Sequence, residues 1–328
     1  MNMQARSHYF GKLPSRGDFL RSTGEPMLVQ ALDGWMSQTL LLMRDDSHWQ
    51  ATYDAAAPVQ FAILGAQSRS GLAGHLVTSQ DTAGRRFPFV MAATFELPVP
   101  SAFLPHSPMA LSPLWCRLGA QVRLAQAAED FAMVQGRLAH QPIDVDLDDE
   151  ANDERSDFFR QQFSMARFES VVSSPEARVS LRQTLLALGL LLRPVLSRGP
   201  AGIDRGLVLP LPRDPMPRPH VLSFWVDLVT GFFKGTPVEI ALFVTTHGEQ
   251  PVLVVGFHGA SPATLRTVID PQACREQNVA VAQAAWVDEV LGADDNLSAL
   301  SMRLRDGSLS LAMASELFRE TFLDAPLY

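Results

Sequence analysis

Residues 59–78 read Val59-Gln60-Phe61-Ala62-Ile63-Leu64-Gly65-Ala66-Gln67-Ser68-Arg69-Ser70-Gly71-Leu72-Ala73-Gly74-His75-Leu76-Val77-Thr78. Two runs rich in β-formers, 59–65 and 72–78, flank the polar 67–71, a pattern that reads as a β-hairpin. A third strand is expected over 87–95, after the turn-forming Asp81-Thr82-Ala83-Gly84. The same pattern returns at 239–246 and 252–258, around His247-Gly248-Glu249-Gln250.

Each hairpin follows an expected helix. One runs from Pro26 to about Met43, with Leu28, Leu32, Trp35, Met36, Thr39 and Leu40 at helical spacing; the other starts at Pro219 and carries Leu222, Trp225, Val226, Leu228 and Val229. Trp35 and Trp225 read as core anchors, whereas Trp49, after Asp45-Asp46-Ser47-His48, reads as a surface candidate. The shared order suggests a two-lobe pseudo-repeat. Further helices are expected over 113–138, 175–192 and 308–322, with an extended run over 206–212. The fold class is therefore α/β, a mainly antiparallel central sheet flanked by helices, with two packed lobes as one arrangement of it.

The 328 residues are 47% hydrophobic and 19% charged, ample for a large core. The net charge of −8 argues against a nucleic-acid partner. Much of that acidity is local: Asp144, Asp146, Asp148, Asp149, Glu150, Asp153, Glu154 and Asp157 face only Arg155. This stretch reads as a mobile acidic linker, dividing the chain into 1–140, the linker 141–157 and a C-terminal α/β lobe 158–328. No run approaches the ~20 apolar residues of a membrane helix, and Met1–His8 lacks an apolar export signal, so a cytoplasmic chain without membrane insertion is expected.

Cys116 and Cys274 stand far apart, and eight histidines show no metal-ligand spacing, so neither metal nor cofactor is expected. His75 and His258 read as hydrogen-bonded strand histidines. GxSxG, Walker A and GxGxxG patterns are absent, and no catalytic residue is assigned.

Two segments carry a resemblance. Gly11-Lys12-Leu13-Pro14-Ser15-Arg16-Gly17-Asp18-Phe19-Leu20 resembles the GKLPxxGDF signature of the TagF (ImpM) family, and Asp81-Thr82-Ala83-Gly84-Arg85-Arg86-Phe87-Pro88-Phe89 resembles its DxxGRxFP motif. The likeness covers about the first 140 residues and is looser beyond. It implies a type VI secretion accessory protein that acts after translation as a repressor, binds a component such as the forkhead-associated scaffold protein Fha, and has no enzymatic activity. The motif residues Lys12, Pro14, Gly17, Asp18, Phe19, Asp81, Gly84, Arg85, Arg86 and Pro88 become candidates for partner contact or for scaffolding.

Physically, Gly11 and Gly17 would permit unusual backbone angles, Asp18 would accept loop N–H bonds, and Arg85 or Arg86 would pair with Asp18 or Asp81. Phe87 and Phe89 would share one strand face. Two rival readings stand beside the regulator: a hydrolase-like enzyme with a dispersed site around Asp18, Arg85 and Asp81, and a structural subunit of the secretion machine.

Overall fold

The computed structural model describes residues 2–139 and 143–324. Strands β1 (Asn2–Ala5), β2 (Ser7–Gly11) and β3 (Leu20–Arg21) precede α1 (Pro26–Met43) and α2 (Trp49–Asp54). Then come β4 (Val59–Gly65), β5 (Ser70–Val77), β6 (Phe89–Glu96), α3 (Pro100–Ala127) and α4 (Ala132–Ala139). β7 (Ile143–Asp146), α5 (Asp149–Gln162), α6 (Met165–Val172) and α7 (Leu181–Arg198) lead to β8 (Gly206–Pro210) and α8 (Arg218–Thr230). β9 (Glu239–His247), β10 (Gln250–Gly256), α9 (Pro262–Ile269), α10 (Pro271–Gln277) and β11 (Asn278–Ala280) complete the sheet. α11 (Val287–Val290), α12 (Asp295–Arg303) and α13 (Leu311–Phe322) follow.

Nine strands form one open sheet in the order β11-β8-β10-β9-β4-β5-β6-β2-β3, antiparallel throughout except for the β11–β8 pair. The two expected hairpins are present, and they join edge to edge: β4 pairs antiparallel with β9, setting Phe61 opposite Phe243. One sheet therefore runs through both halves. Its central strands are buried on both faces because helices cover both. Phe61, Phe243, Val254 and Val90 pack with Trp35 and Leu265 from α1 and α9. Ala62, Leu242, Leu253 and Met91 pack with Trp115, Leu188 and Trp225 from α3, α7 and α8.

Trp35 and Trp225 are core anchors, as expected, with indole N–H groups donated to the carbonyls of Ser261 and Pro210. They lie on opposite faces of the sheet, however, so the similar element order is not a spatial repeat.

Several boundaries differ from the sequence reading. The helix expected to start at Pro113 begins at Pro100, with Pro105, Pro108 and Pro113 inside it. Burial of Phe103, Leu104 and Leu111 against the sheet outweighs the lost N–H donors. The helix expected from Pro175 starts after Ser180, whose hydroxyl accepts the Gln183 N–H, while the Glu169 carboxylate accepts that of Leu181.

The acidic stretch is structured rather than a mobile linker. β7 pairs antiparallel with β1, Ile143 and Val145 are buried in the core, and Asp148 caps α5 by accepting the Ala151 N–H. Carboxylates in the first turn of a helix also suit its dipole. Asn152, Ser156 and Phe159 bury the inner face of α5. Arg160, on the same helix, bridges Asp157 and Asp227 of α8, the latter also held by Arg319 of α13, so the outer end of α5 is tied to both helices.

His75 is not the hydrogen-bonded histidine expected: it is buried beneath Gly119 of α3 and its Nδ1 has no partner. His258 lies just past the end of β10 and is exposed. Burial, helped by the Arg123 charge, pulls His75 down from 6.5 to about 4. The unfolded chain therefore takes up this proton at a higher pH than the folded chain. The stability tied to neutral His75 is full above the unfolded value and declines as pH falls from 6.5 toward 4. The protein is expected to lose about 2 kcal/mol at this group between pH 7 and pH 5. Thermal melts of wild type and His75→Gln test this, the variant showing the flatter pH profile.

Candidate functional site

The two motif segments, far apart in sequence, are brought together by β2, whose far end pairs with the start of β6 at Gly11 and Phe89. Gly11 has φ +131°, and a Cβ there would lie 1.9 Å from the Pro88 carbonyl oxygen. Only glycine allows the chains to approach this closely. Lys12 follows and donates its backbone N–H to that same carbonyl. Gly17, by contrast, has no positive φ, so the freedom expected of it is not used.

Asp81 is the hub. Its side chain is fully buried, and it accepts four hydrogen bonds. Oδ2 takes Lys12 Nζ at 2.9 Å and Arg85 Nε at 2.7 Å. Oδ1 takes the N–H groups of Ala83 at 3.0 Å and Arg85 at 2.9 Å. Burial pushes this carboxyl upward, but the Lys12 ammonium, the Arg85 guanidinium and the two N–H groups outweigh it and hold it well below the usual carboxylate range. Gly84 closes the turn with φ +74° and donates its N–H to the Asp81 carbonyl.

Arg85 reaches on to the Gly17 carbonyl at 2.8 Å, and Thr82 N–H reaches Arg16 O at 3.1 Å, so the second loop grips the first at several points. The expected pairing of Arg85 with Asp81 is present. Asp18 is exposed and, among the described residues, makes no hydrogen bond or ion pair. Arg86 pairs bidentately with Asp54 of α2, at 2.8 and 2.6 Å, a partner that sequence spacing gave no means of choosing.

Phe19 stacks on Phe10 at 5.5 Å and meets Phe87 edge-on at 4.8 Å, with Lys12 Nζ 4.7 Å from its ring centre. Phe87 and Phe89 do not share a face: Phe87 joins Phe10 and Trp35, while Phe89 joins Tyr9 on the other side. Phe87 precedes β6, and Pro88, drawn against Gly11, interrupts the two-residue alternation assumed for a regular strand. Pro14 is exposed and Pro88 buried.

Above this hub lies a surface groove of about 610 Å³ lined by residues of α1, α2 and the 84–87 segment, together with Lys12 and Phe19. Trp49, the surface candidate, is half-buried at its edge, with the Arg44 guanidinium 5.7 Å from its ring. Leu41 and Arg44, which sequence reasoning did not select, both line it. Leu41 lies out of phase with the buried stripe of α1, at 64% exposure, and that mismatch was the available signal.

Residues 8–140 match the TagF N-terminal domain family, described as type VI secretion system-associated. This chain carries a TagF N-terminal domain. Both motif segments and the groove lie inside the matched residues of that TagF domain. Among solved structures, the chain is similar to PA0076 from Pseudomonas aeruginosa PAO1, at 21% identity and a TM-score of 0.33, covering 42% of this chain and 64% of that one. It thus spans less than two thirds of that protein's length. No curated protein matches the chain.

Away from the TagF motifs, His106 Nε2 lies 2.9 Å from Asp153 Oδ1, and its Nδ1 lies 3.5 Å from Ser156 Oγ. The order of exposure is the reverse of a nucleophilic triad: Ser156 is 6% exposed, while the aspartate side chain faces solvent. These contacts tie α5 to α3. No group of metal-ligating side chains occurs among the described residues, and no described helix is long and apolar enough to cross a membrane.

Proposed function

We propose that this protein is a cytoplasmic accessory regulator of type VI secretion that represses it after translation, by binding a secretion component such as the Fha scaffold protein and without catalysis. The observation that carries this reading is the convergence of both TagF motifs on one rigid hub beneath an exposed groove. A loop held by Lys12 and Arg85 on the buried Asp81 carboxylate presents a surface of fixed shape, which lowers the ordering cost of binding a partner. The hydrolase alternative centred on Asp81 is less well supported, because both carboxylate oxygens are already engaged by charged or backbone donors.

Raised production of the chain in cells with an active type VI system is expected to reduce secretion into the medium severalfold while the amounts of the secretion components stay constant. Unchanged secretion, or a matching fall in those components, would count against post-translational repression.

A further inference from the structure

Building on that regulator reading, we infer that the groove beside α1 and α2 docks an acidic partner segment bearing an aliphatic or aromatic residue between carboxylates. The protein has a net charge of −8, yet Lys12, Arg44, Arg85 and Arg86 all line this groove and no carboxylate does. Asp54 matches Arg86 at its edge, and Lys12 and Arg85 share the single charge of Asp81 beneath it, so positive charge is left over. Arg44 makes no ion pair among the described residues, and the Arg85 side chain is 63% exposed. Asp45 and Asp46, next along the chain, are outside the lining.

The groove lining is also apolar in part. Leu41 at 64% exposure and Phe19 at 37% line it together with the buried Leu40 and Phe87. An exposed leucine and phenylalanine in the same lining as four cations, with Lys12 Nζ 4.7 Å from the Phe19 ring centre, fit a segment that presents both an apolar side chain and carboxylates. A nucleic acid would meet the same cations but would leave the apolar side chains unmatched and face the repulsion of the acidic chain.

The test titrates the full chain with a labelled short synthetic peptide carrying Glu residues around a central Leu-Phe pair. The comparison peptides replace Glu by Lys, or Leu-Phe by Ser-Ser. Wild type is expected to bind the first peptide at least tenfold more tightly than either comparison, about 1.4 kcal/mol. Leu41→Ser and Arg44→Glu, both at exposed positions, should remove that preference with unchanged melting temperatures. Equal binding of the three peptides, or undiminished binding by Arg44→Glu, would overturn the assignment. If that happens while raised production of the chain still represses secretion, the groove assignment alone fails; if repression is also absent, the regulator reading fails with it.

Discussion

Gly11→Ala is expected to leave little folded protein. A Cβ at this position meets the Pro88 carbonyl oxygen at 1.9 Å and the Phe89 Cα at 2.7 Å, both backbone atoms inside a paired sheet that cannot move aside. The φ of +131° is itself closed to alanine, so strain and overlap add, and the loss should exceed about 4 kcal/mol. Gly84→Ala is the matched comparison: its φ is also positive, at +74°, but open space surrounds the position. It should cost only about 1–2 kcal/mol. Denaturant titration of both variants separates backbone approach from simple left-handed strain. Equal losses would show that the contact between the two motifs is not what Gly11 is needed for.

Asp81→Asn is expected to lower the melting temperature by on the order of 10 °C, because it leaves the buried Lys12 ammonium without its counter-charge. Removing Lys12 as well, as Lys12→Met on top of Asp81→Asn, should recover part of that loss, since two matched neutral groups are less damaging than one unpaired buried charge. Additive losses would contradict the pairing. The depressed carboxyl of Asp81 implies that its contribution is present above its ordinary value of 3.8 and is lost as pH falls toward the lower folded value. This acid loss begins about where the window governed by His75 ends.

The central hairpins and α1 were legible because their signals are local: strand-formers bounded by turn residues, and Pro26 ahead of a helical apolar stripe. The N-terminal part of α3 was hidden by three internal prolines, whose local preference yielded to burial of Phe103 and Leu111. The acidic segment was misread for a similar reason. Composition counts its carboxylates, but His106 and β1, which organise it, lie far away in the chain.

The candidate site shows the same division. Asp81-Thr82-Ala83-Gly84 announces its turn, and Asp81 with Arg85 was among the pairings foreseen. That Lys12 completes the cluster, that Asp18 stays outside it, and that Arg86 turns to Asp54 depend on how β2, β6 and α2 meet. The exposed Leu41 and Arg44 became meaningful only once the 84–87 segment was seen beside them.

The most direct test is affinity capture of the tagged full chain from cells with an active type VI system, comparing wild type with a Leu41→Ser and Arg44→Glu double variant of equal stability. A secretion component such as Fha retained by wild type and at least tenfold depleted with the variant is the predicted result. A secretion component retained equally by both, or by neither, would contradict the claim that this TagF domain acts through the groove above its motif hub.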